Sequence, residues 1–479
     1  MPVNIPSSDN LILIGRELYG RGLIEDLEYY EFSPTTERGV TEFEKGLIIN
    51  YECLISEYIF EYRGPEIVNG LELVEVNRQK GSDNSNYIKI FPKTRIDLRS
   101  NLRATVTYRI DRELSEDPRY DGKYWRGWAG FVEDAGIKLS FDNLKFRFGF
   151  ERLARGFGNY GNLLFSRQAH PMTVFGFNFV NDKIRFESIS GFLSPLKEEL
   201  DGRIDDPNFF TNQQRYLAAH SLSIKPLRGL TVSFREAVIY GGPGRRFEPA
   251  YAFPLIWYHG YQLNSRMDDN TLVSVGLDYR HGGRFWVYGE LLVDDFQIEK
   301  SSDSDYEPAQ LGFLMGGEAY DLGFEGTGLR VEYARVNNWV YNQPRPHNRF
   351  INHNIPIGFP DGPDNDNLNW ELSWWPSENL RLAYFGIYQR VGEGSIGAEW
   401  TAPWLGTDGY DEPFPTGVVQ EKSNNGLRFL ALNKNRFWGK LEIQLTDIKN
   451  VRNIPEGRIS NWEFSLEIGY NLPPFGWGL

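Results

Sequence analysis

The sequence predicts an all-β fold, a large membrane-spanning antiparallel β-barrel with a short helical plug before its first strand. Three observations lead to this prediction: apolar and polar residues alternate along many segments, aromatic residues are abundant, and no long apolar run is present. Aromatic residues make up 15% and charged residues 24% of the 479 residues. No apolar stretch approaches the roughly 18 residues that a membrane-spanning helix needs. Membrane-spanning helices are therefore excluded.

The clearest alternation is in WEFSLEIGY, residues 462–470. Every second residue there is apolar, namely Trp462, Phe464, Leu466, Ile468 and Tyr470. Because successive side chains of a strand point to opposite faces, one face is apolar and the other carries Glu463 and Glu467. The pattern recurs in LKFRFGFE (144–151), LRVEYARV (329–336), LRLAYFGIYQR (380–390) and KLEIQLTDI (440–448).

A soluble β-sandwich also alternates, so two features decide in favour of a membrane barrel. The polar face repeatedly carries full charges and small residues, as expected of a membrane barrel, whose polar face lines the lumen. Aromatic residues stand at strand ends, as in the girdles at a membrane interface. Short turns such as NDK, HGGR and NKNR alternate with long polar loops over residues 46–479. At about ten residues per strand, this part holds between roughly 16 and 20 strands, and we expect its long loops to be extracellular.

Residues 1–45 are predicted to form a periplasmic helical segment that plugs the barrel. Ser8 or Asp9 is a plausible N-cap, and Leu11, Ile14 and Leu18 have helical spacing. Gly20 and Gly22 then act as stop signals. The start, MPVNIPSSDN, has no basic region followed by an apolar one. Placing the protein in the bacterial outer membrane therefore assumes that a signal peptide has been removed.

Charge and cysteine content exclude further classes. The net charge of −14 disfavours nucleic acid as a partner, because phosphate binding requires a basic surface. Cys53 is the sole cysteine, so an intrachain disulfide is impossible. We expect Cys53 to be an unreactive, half-buried residue, and we predict neither a cofactor nor a metal. We expect a monomer.

Four segments resemble the capsule-assembly Wzi family of outer-membrane proteins. They are LYGRGLI (18–24), ERLARGFGNYGNLLFSRQAHP (151–171), the run from REAVIYGGPGRRFEPAYAFP to RHGGRFWVYGELLVDDF (235–296), and GFPDGPDNDNLNWELS (358–373). In the second segment the similarity is carried by Gly156, Gly158, Leu163, Leu164, Ser166, Ala169 and Pro171. The order of the four segments along the chain makes the resemblance fairly specific.

The resemblance implies an eighteen-stranded barrel closed by a periplasmic helical plug and by extracellular loops. It implies a non-catalytic lectin that retains or helps assemble capsular or exopolysaccharide at the cell surface, within outer-membrane lipid and lipopolysaccharide. It supplies no individual glycan-contacting residue. The alternative is a porin or solute channel, and an enzyme acting on glycans or lipids comes third.

Several motifs that suggest catalysis have a simpler interpretation. GFGNYG (156–161) fits the dinucleotide fingerprint, but an extended apolar segment follows it instead of a helix, so a turn is favoured. Glu151, Glu290 and Asp294 are predicted to face the lumen, where ion pairs with arginines are expected. Glu290 and Asp294, four strand residues apart, would be ~13 Å from each other. A glycosidase needs its two carboxyl groups roughly 5 to 9.5 Å apart.

Histidines and acidic loops give no specific site. The six histidines lie in no nucleophile motif, and the spacing of His347 and His353 specifies no metal site. The stretches SSDSDYEP (301–308) and FPDGPDNDN (359–367) are predicted to be exposed loops. Calcium binding by the second stretch is an alternative, although it lacks the closing glutamate of an EF-hand.

The strongest candidate for a binding site is the loop GGPGRRFEPAYAFPLIWYHG, residues 241–260. We expect Arg245 and Arg246 to bind carboxylates of an acidic sugar. Flat apolar faces with polar edges suit sugar rings, and four residues of the loop offer them: Tyr251, Trp257, Tyr258 and His259. The alternative is that these residues pack the loop into the lumen as a plug.

Overall fold

The computed structural model describes residues 9–24, 41, 43–45, 47–48, 64–112, 114, 120, 122–195, 214–295, 306–405, 410–433, 436–473 and 475–478. Within these residues, no helix combines the length and the hydropathy needed to cross a membrane. Cys53 and residues 301–305 lie outside the described residues, so the predictions made for them remain predictions.

Eighteen antiparallel strands form the wall of a closed barrel. They are β1 Glu66–Lys80, β2 Asp83–Arg99, β3 Leu102–Asp111, β4 Ala129–Phe141, β5 Leu144–Glu151, β6 Met172–Val180, β7 Ile184–Leu193, β8 Arg215–Leu227, β9 Leu230–Gly241, β10 Asn270–His281, β11 Phe285–Asp295, β12 Gln310–Tyr320, β13 Thr327–Val336, β16 Asn365–Ser377, β17 Leu380–Val391, β18 Gln420–Leu432, β19 Phe437–Lys449 and β20 Arg458–Asn471. The hairpin of β14 (Ile351–Asn352) and β15 (Ile355–Pro356) belongs to the loop between β13 and β16. The predictions of a barrel and of about eighteen strands are confirmed.

The barrel closes between its first and last strands. β20 pairs with β1 from Glu72↔Asn471 to Lys80↔Glu463, and a short final strand, β21 (Phe475–Gly478), continues along the same edge of β1. Among the described residues, each strand of the wall pairs with the strands before and after it, so the sheet closes on itself. The paired strands hydrogen-bond to each other along the wall, as a membrane requires.

The connections differ in length at the two ends of the barrel. One end has tight turns such as HGGR, where Gly282 and Gly283 both have positive φ and Arg284 N donates to His281 O. Two consecutive residues with positive φ form the hairpin turns that match strand twist, and glycine adopts them without steric cost. The other end carries the long loops, including 152–171, 242–269, 337–364 and 392–419.

The two faces of the wall differ as the alternation predicts. On β20, Trp462, Phe464 and Ile468 are exposed on the outside of the barrel. On the inner face, Glu463 pairs with Arg78 and Glu467 with Lys440. The segment WEFSLEIGY therefore separates an apolar exterior from a charged lumen.

The N-terminal helix, α1 (Asp9–Gly20), lies inside the lumen at the end that carries the tight turns. Its residues Ile14 and Leu18 are buried in the main apolar cluster, together with Trp286 and Tyr288 of β11. Residues 43–45 and 47–48 are helical, and the first described strand begins at Glu66. The domain boundary at residues 45/46 remains a prediction.

Candidate functional site

A buried arginine fixes α1 inside the barrel. Arg16 donates to Glu318 Oε1 of β12 at 2.7 Å, to Phe157 O at 2.7 Å and to Tyr288 OH at 3.2 Å. Its guanidinium also lies 4.7 Å from the centre of the Trp286 ring. One side chain thus joins the helix, the wall and the 152–171 loop, which descends from the long-loop end.

Further polar contacts hold the end of the helix. Tyr19 OH donates to Asp278 Oδ2 of β10 at 2.8 Å, and Arg280 donates to Tyr19 O at 3.2 Å. Arg21 pairs with Glu17 and with Asp321, in the turn after β12. Because these partners sit at the tight-turn end of the wall, α1 lies across that end of the lumen against β10 to β12.

Carboxylates of the inner wall hold the long loops within the lumen. Glu332 accepts hydrogen bonds from Asn159 N (2.7 Å) and Tyr160 N (3.0 Å), and Glu290 Oε2 accepts one from Leu163 N (2.9 Å). In each case a wall side chain binds the backbone of the 152–171 loop. The arrangement satisfies buried amide groups that would otherwise be costly to desolvate.

The predicted lumenal charges lie on the inner face. Glu151 pairs with Arg147 at 3.1 Å, Glu290 Oε1 accepts from Ser274 Oγ at 2.7 Å, and Asp294 Oδ2 accepts from Tyr341 N at 2.6 Å. Tyr341 belongs to the 337–364 loop, which also packs into the lumen. Glu290 and Asp294 therefore position loops.

The prediction that residues 359–367 form an exposed loop is wrong. Phe359 is buried against Tyr160 of the 152–171 loop, Asp364 is buried against the 392–419 loop, and Asn365 to Asn367 are buried in β16. Asp364 joins the 337–364 and 392–419 loops: its carboxylate accepts from Gly394 N (2.8 Å), Thr416 N (3.0 Å) and Thr416 Oγ1. The polar composition serves internal hydrogen bonding, a role that composition alone does not distinguish from solvation.

The same two loops build an aromatic cluster at the long-loop end. Trp339 packs edge-to-face against Trp400 (ring centroids 4.9 Å apart) and Trp404 (5.4 Å). Trp400 and Trp404 are 5.7 Å apart. Trp339 and Trp404 are buried, whereas Trp400 is partly exposed and can present a ring to a ligand from outside.

A carboxylate adjoins this cluster. Glu412 Oε1 accepts hydrogen bonds from Asn338 Nδ2 (3.0 Å), Trp339 Nε1 (2.9 Å) and Tyr410 OH (3.1 Å). Its Oε2 accepts none from the described residues, and the side chain is partly exposed. Partial burial and the Glu412 carboxylate raise the pKa of Tyr410 to about 12. The cluster offers an oriented acceptor beside an aromatic face.

The predicted binding loop, residues 241–260, packs on the outside of the barrel. Phe234, Glu236, Val238 and Tyr240 are alternate residues of β9 and share a face, and Phe234 is exposed on the exterior. The loop covers the part of this face that is nearest the long-loop end, where the rings of Tyr251 and Tyr240 have centroids 4.9 Å apart. The alternative that the loop plugs the lumen is therefore wrong, because the residues it covers point outward.

The six residues predicted in this loop divide into two groups. Tyr251 and Tyr258 are fully buried, so their rings are closed to a sugar in this conformation. Arg245 pairs with Asp269 at 2.9 Å. Arg246, Trp257 and His259 are exposed, and sugar binding by these three remains a prediction. The sequence signal for the tryptophan cluster was weaker than that for the 241–260 loop. Trp339, Trp400 and Trp404 come from two loops that meet only in the folded protein.

The remaining motifs show structural roles. GFGNYG lies in the irregular 152–171 loop inside the lumen, with no following helix. His353 stacks on His170 with ring centroids 3.8 Å apart, and His347 O accepts a hydrogen bond from Arg215. In the described part of the chain, no three histidine, cysteine or acidic residues group as metal ligands would.

A closed eighteen-stranded barrel with an apolar exterior and a filled, charged lumen defines an outer-membrane β-barrel protein. The family model described as capsule assembly protein Wzi matches residues 80–453. The chain belongs to this family, and its location is the bacterial outer membrane. The resemblance found in the sequence is thus confirmed.

Solved structures agree with the fold. The protein is similar to Wzi of Escherichia coli, described as an outer-membrane protein involved in group 1 capsule assembly and as a carbohydrate-binding β-barrel. That match has a TM-score of 0.62 and 13% identity, and covers 98% of this chain and 99% of the other. OccD3 of Pseudomonas aeruginosa matches more weakly, with a TM-score of 0.47, 12% identity, and coverage of 86% and 93%. Among curated proteins, no sequence matches significantly.

Proposed function

We propose that this protein binds surface polysaccharide at its long-loop end and retains it, or helps assemble it, without catalysing a reaction. The protein acts as a monomer embedded in outer-membrane lipid and lipopolysaccharide. Family membership and the carbohydrate binding described for Wzi of Escherichia coli support this proposal.

The observation that carries the proposal is the tryptophan cluster with Glu412 above a filled lumen. Sugar rings bind where their C–H faces contact an aromatic ring and their hydroxyl groups meet a fixed acceptor. Trp400 offers the ring. Glu412 binds Trp339 of the same cluster through Oε1, which three donors hold, and its Oε2 accepts no hydrogen bond from the described residues. Such pre-organisation lowers the entropic cost of binding.

A porin is the rival function, and the described lumen disfavours it. Helix α1 occupies the tight-turn end, and the 152–171 and 337–364 loops fill the space above it. Phe157 of the first loop stacks 6.0 Å from Tyr19 of α1, so the two parts meet inside the barrel. A conducting path through this part of the lumen would require the helix and the loop to separate.

A catalytic role is disfavoured by the engagement of the lumenal carboxylates. Glu290 and Asp294 each accept hydrogen bonds from backbone amides of inner loops, which leaves them as positioning groups. The proposal therefore predicts that polymer length is unchanged when the protein is absent.

Gene deletion followed by complementation tests the proposal. Cell-bound and released polysaccharide are measured in the deletion strain and after complementation with wild type, Trp400→Ala or Glu412→Gln. We expect release of normal-length polymer in the deletion strain and incomplete retention with either variant. Glu399→Ala, an exposed change in the same loop, is the matched control. An unchanged partition in the deletion strain would refute retention, and an altered chain length would indicate an enzyme.

A second contact region is proposed at the exposed polar groups of the 241–260 loop. Because Arg245 is already paired with Asp269, Arg246→Ala is the cleaner test of acidic-sugar binding. A charged hydrogen bond contributes about 1.5–3 kcal/mol when desolvated, so its loss would weaken binding measurably in a titration. Unchanged affinity for an acidic polysaccharide would confine binding to the tryptophan cluster.

A further inference from the structure

The outward surface of the 242–269 loop is unusually apolar for an extracellular loop. The loop contains the short helix α2 (Tyr258–Ser265) and rests on the exterior of β8, β9 and β10. Its inner side is a packed cluster in which Phe247 contacts Tyr216 of β8 and Tyr251 contacts Tyr240 of β9. A hydrogen bond from Thr271 of β10 to Gln262 fixes α2 over the third strand.

Four large apolar side chains point away from that packed side. They are Phe253, Leu255, Trp257 and Leu263, with exposed fractions of 55%, 78%, 61% and 66%. Contiguous exposed apolar residues on a soluble surface are unfavourable, and they mark an interaction surface. Below the loop, the same side of the barrel continues with exposed Phe234 and Leu222.

A buried carboxylate lies beneath α2, on the outward face of β9. Glu236 points outward from β9 and is in register with Val273 of β10, which is in register with Val293 of β11. On the other side, Glu236 is in register with His220 of β8. A carboxylate that faces lipid would be costly. It is instead fully buried, and it accepts hydrogen bonds from His220 Nε2 at 3.0 Å and from Tyr258 N and His259 N at 3.1 Å. The first turn of α2 and His220 thus shield this outward-facing charge.

We propose that the 242–269 loop is an interfacial anchor whose apolar outer side inserts into the lipid of the outer leaflet. Its occupant is the membrane itself: acyl chains cover Phe253, Leu255 and Leu263, continuing the apolar exterior of the barrel wall. Trp257 sits at the interface, where tryptophan is favoured because its ring is apolar and its N–H is polar. This placement assigns Trp257 to lipid instead of to sugar.

The anchor explains the composition of the loop. Large apolar side chains next to a tryptophan favour a membrane interface, because the apolar groups leave water while the indole N–H keeps polar partners. It would tether the extracellular rim on the side of the barrel formed by β8 to β10. The anchor does not require that the protein bind polysaccharide, so either proposal can be refuted without refuting the other.

Site-directed spin labelling tests the anchor in the full chain. A nitroxide is attached at Leu255→Cys in a Cys53→Ser background, and the protein is reconstituted into phospholipid vesicles. Molecular oxygen concentrates in lipid and a nickel chelate stays in water, so their collision rates with the label report its surroundings. Leu291→Cys, outward on β11, is the lipid reference, and Glu399→Cys is the water reference. Phe253→Cys provides a second reporter should the first variant fold poorly.

We expect the Leu255 label to resemble Leu291, with frequent oxygen collisions and few nickel collisions. A pattern like that of Glu399 would overturn the proposal, because the loop would then face water. Few collisions with both reagents, together with spin–spin broadening between labelled copies, would also overturn it, because a second copy of the chain would then cover the patch.

Discussion

Replacing Arg16 by methionine should undock the N-terminal helix from the barrel. The change removes the hydrogen bonds to Glu318, Phe157 O and Tyr288. Glu318 stays buried, and among the described residues it keeps a hydrogen bond from Tyr320 OH at 2.7 Å. Breaking a buried ion pair by removing one partner costs about 3–5 kcal/mol. Because Arg16 connects α1 to the wall, this cost destabilises the docked state of α1 relative to the undocked state.

Cysteine labelling measures the docking equilibrium. Leu18 is fully buried when α1 is docked, so Leu18→Cys in a Cys53→Ser background reacts with a maleimide only after local opening. When reclosing is faster than labelling, the rate follows the open population. A loss of 3–5 kcal/mol then makes labelling roughly one hundred to several thousand times faster, since about 1.4 kcal/mol is tenfold.

Two controls separate the ion pair from general destabilisation. Arg78→Met removes an ion pair with Glu463 near the long-loop end of β1, and the labelling rate at position 18 should stay unchanged. Glu318→Gln combined with Arg16→Met should cost less than the sum of the two single changes, by about 0.5–3 kcal/mol. An unchanged labelling rate in Arg16→Met, or strict additivity of the two changes, would refute this account of the plug.

Three further predictions concern the loops and the exterior. Asp364→Ala should leave the barrel intact but make the 392–419 loop more sensitive to limited proteolysis, since Gly394 N and Thr416 N lose their buried acceptor at about 1–3 kcal/mol each; equal sensitivity to the Glu399→Ala control would contradict it. Burial and the Asp295 carboxylate raise the pKa of Glu307 to about 7 from 4.5, so its contribution to stability is full below pH 4.5 and is lost as the pH rises through 7. The thermal midpoint of the wild type should therefore fall more between pH 5 and 8 than that of Glu307→Gln, and parallel curves would rule this out. Glu236→Ala should destabilise the packing of α2, because His220 and the amides of Tyr258 and His259 lose their shared acceptor; increased hydrogen exchange at these two amides would show it, and unchanged exchange would count against it.

Much of the wall could be predicted from the sequence because each strand carries its own signal. In WEFSLEIGY the period of two assigns Trp462 and Phe464 to the exterior and Glu463 to the lumen without reference to any other strand. The turn HGGR is equally local, since two adjacent glycines supply the two positive φ angles. The helical spacing of Ile14 and Leu18 likewise located a helix before the barrel.

The candidate site could be predicted less well because its residues come from different loops. The glycine-rich 241–260 loop was recognised, but its sequence does not state whether it packs on the inner or the outer side of the wall. That choice depends on Tyr216, Val238 and Tyr240, which strand register places on the exterior. The prediction that the acidic stretch 359–367 is exposed failed for a similar reason. Asp364 binds partners that are 30 and 52 residues away in sequence.

The sequence by itself determined the barrel, the sides of its wall and the presence of an N-terminal helix, because these follow from spacing over two to four residues. Only the tertiary structure decided what fills the lumen, what covers the exterior and where Trp339, Trp400 and Trp404 meet. The physical reason is that loops are placed by contacts between residues distant in sequence, such as Arg16 with Glu318 and Glu332 with Tyr160. No local period encodes those contacts.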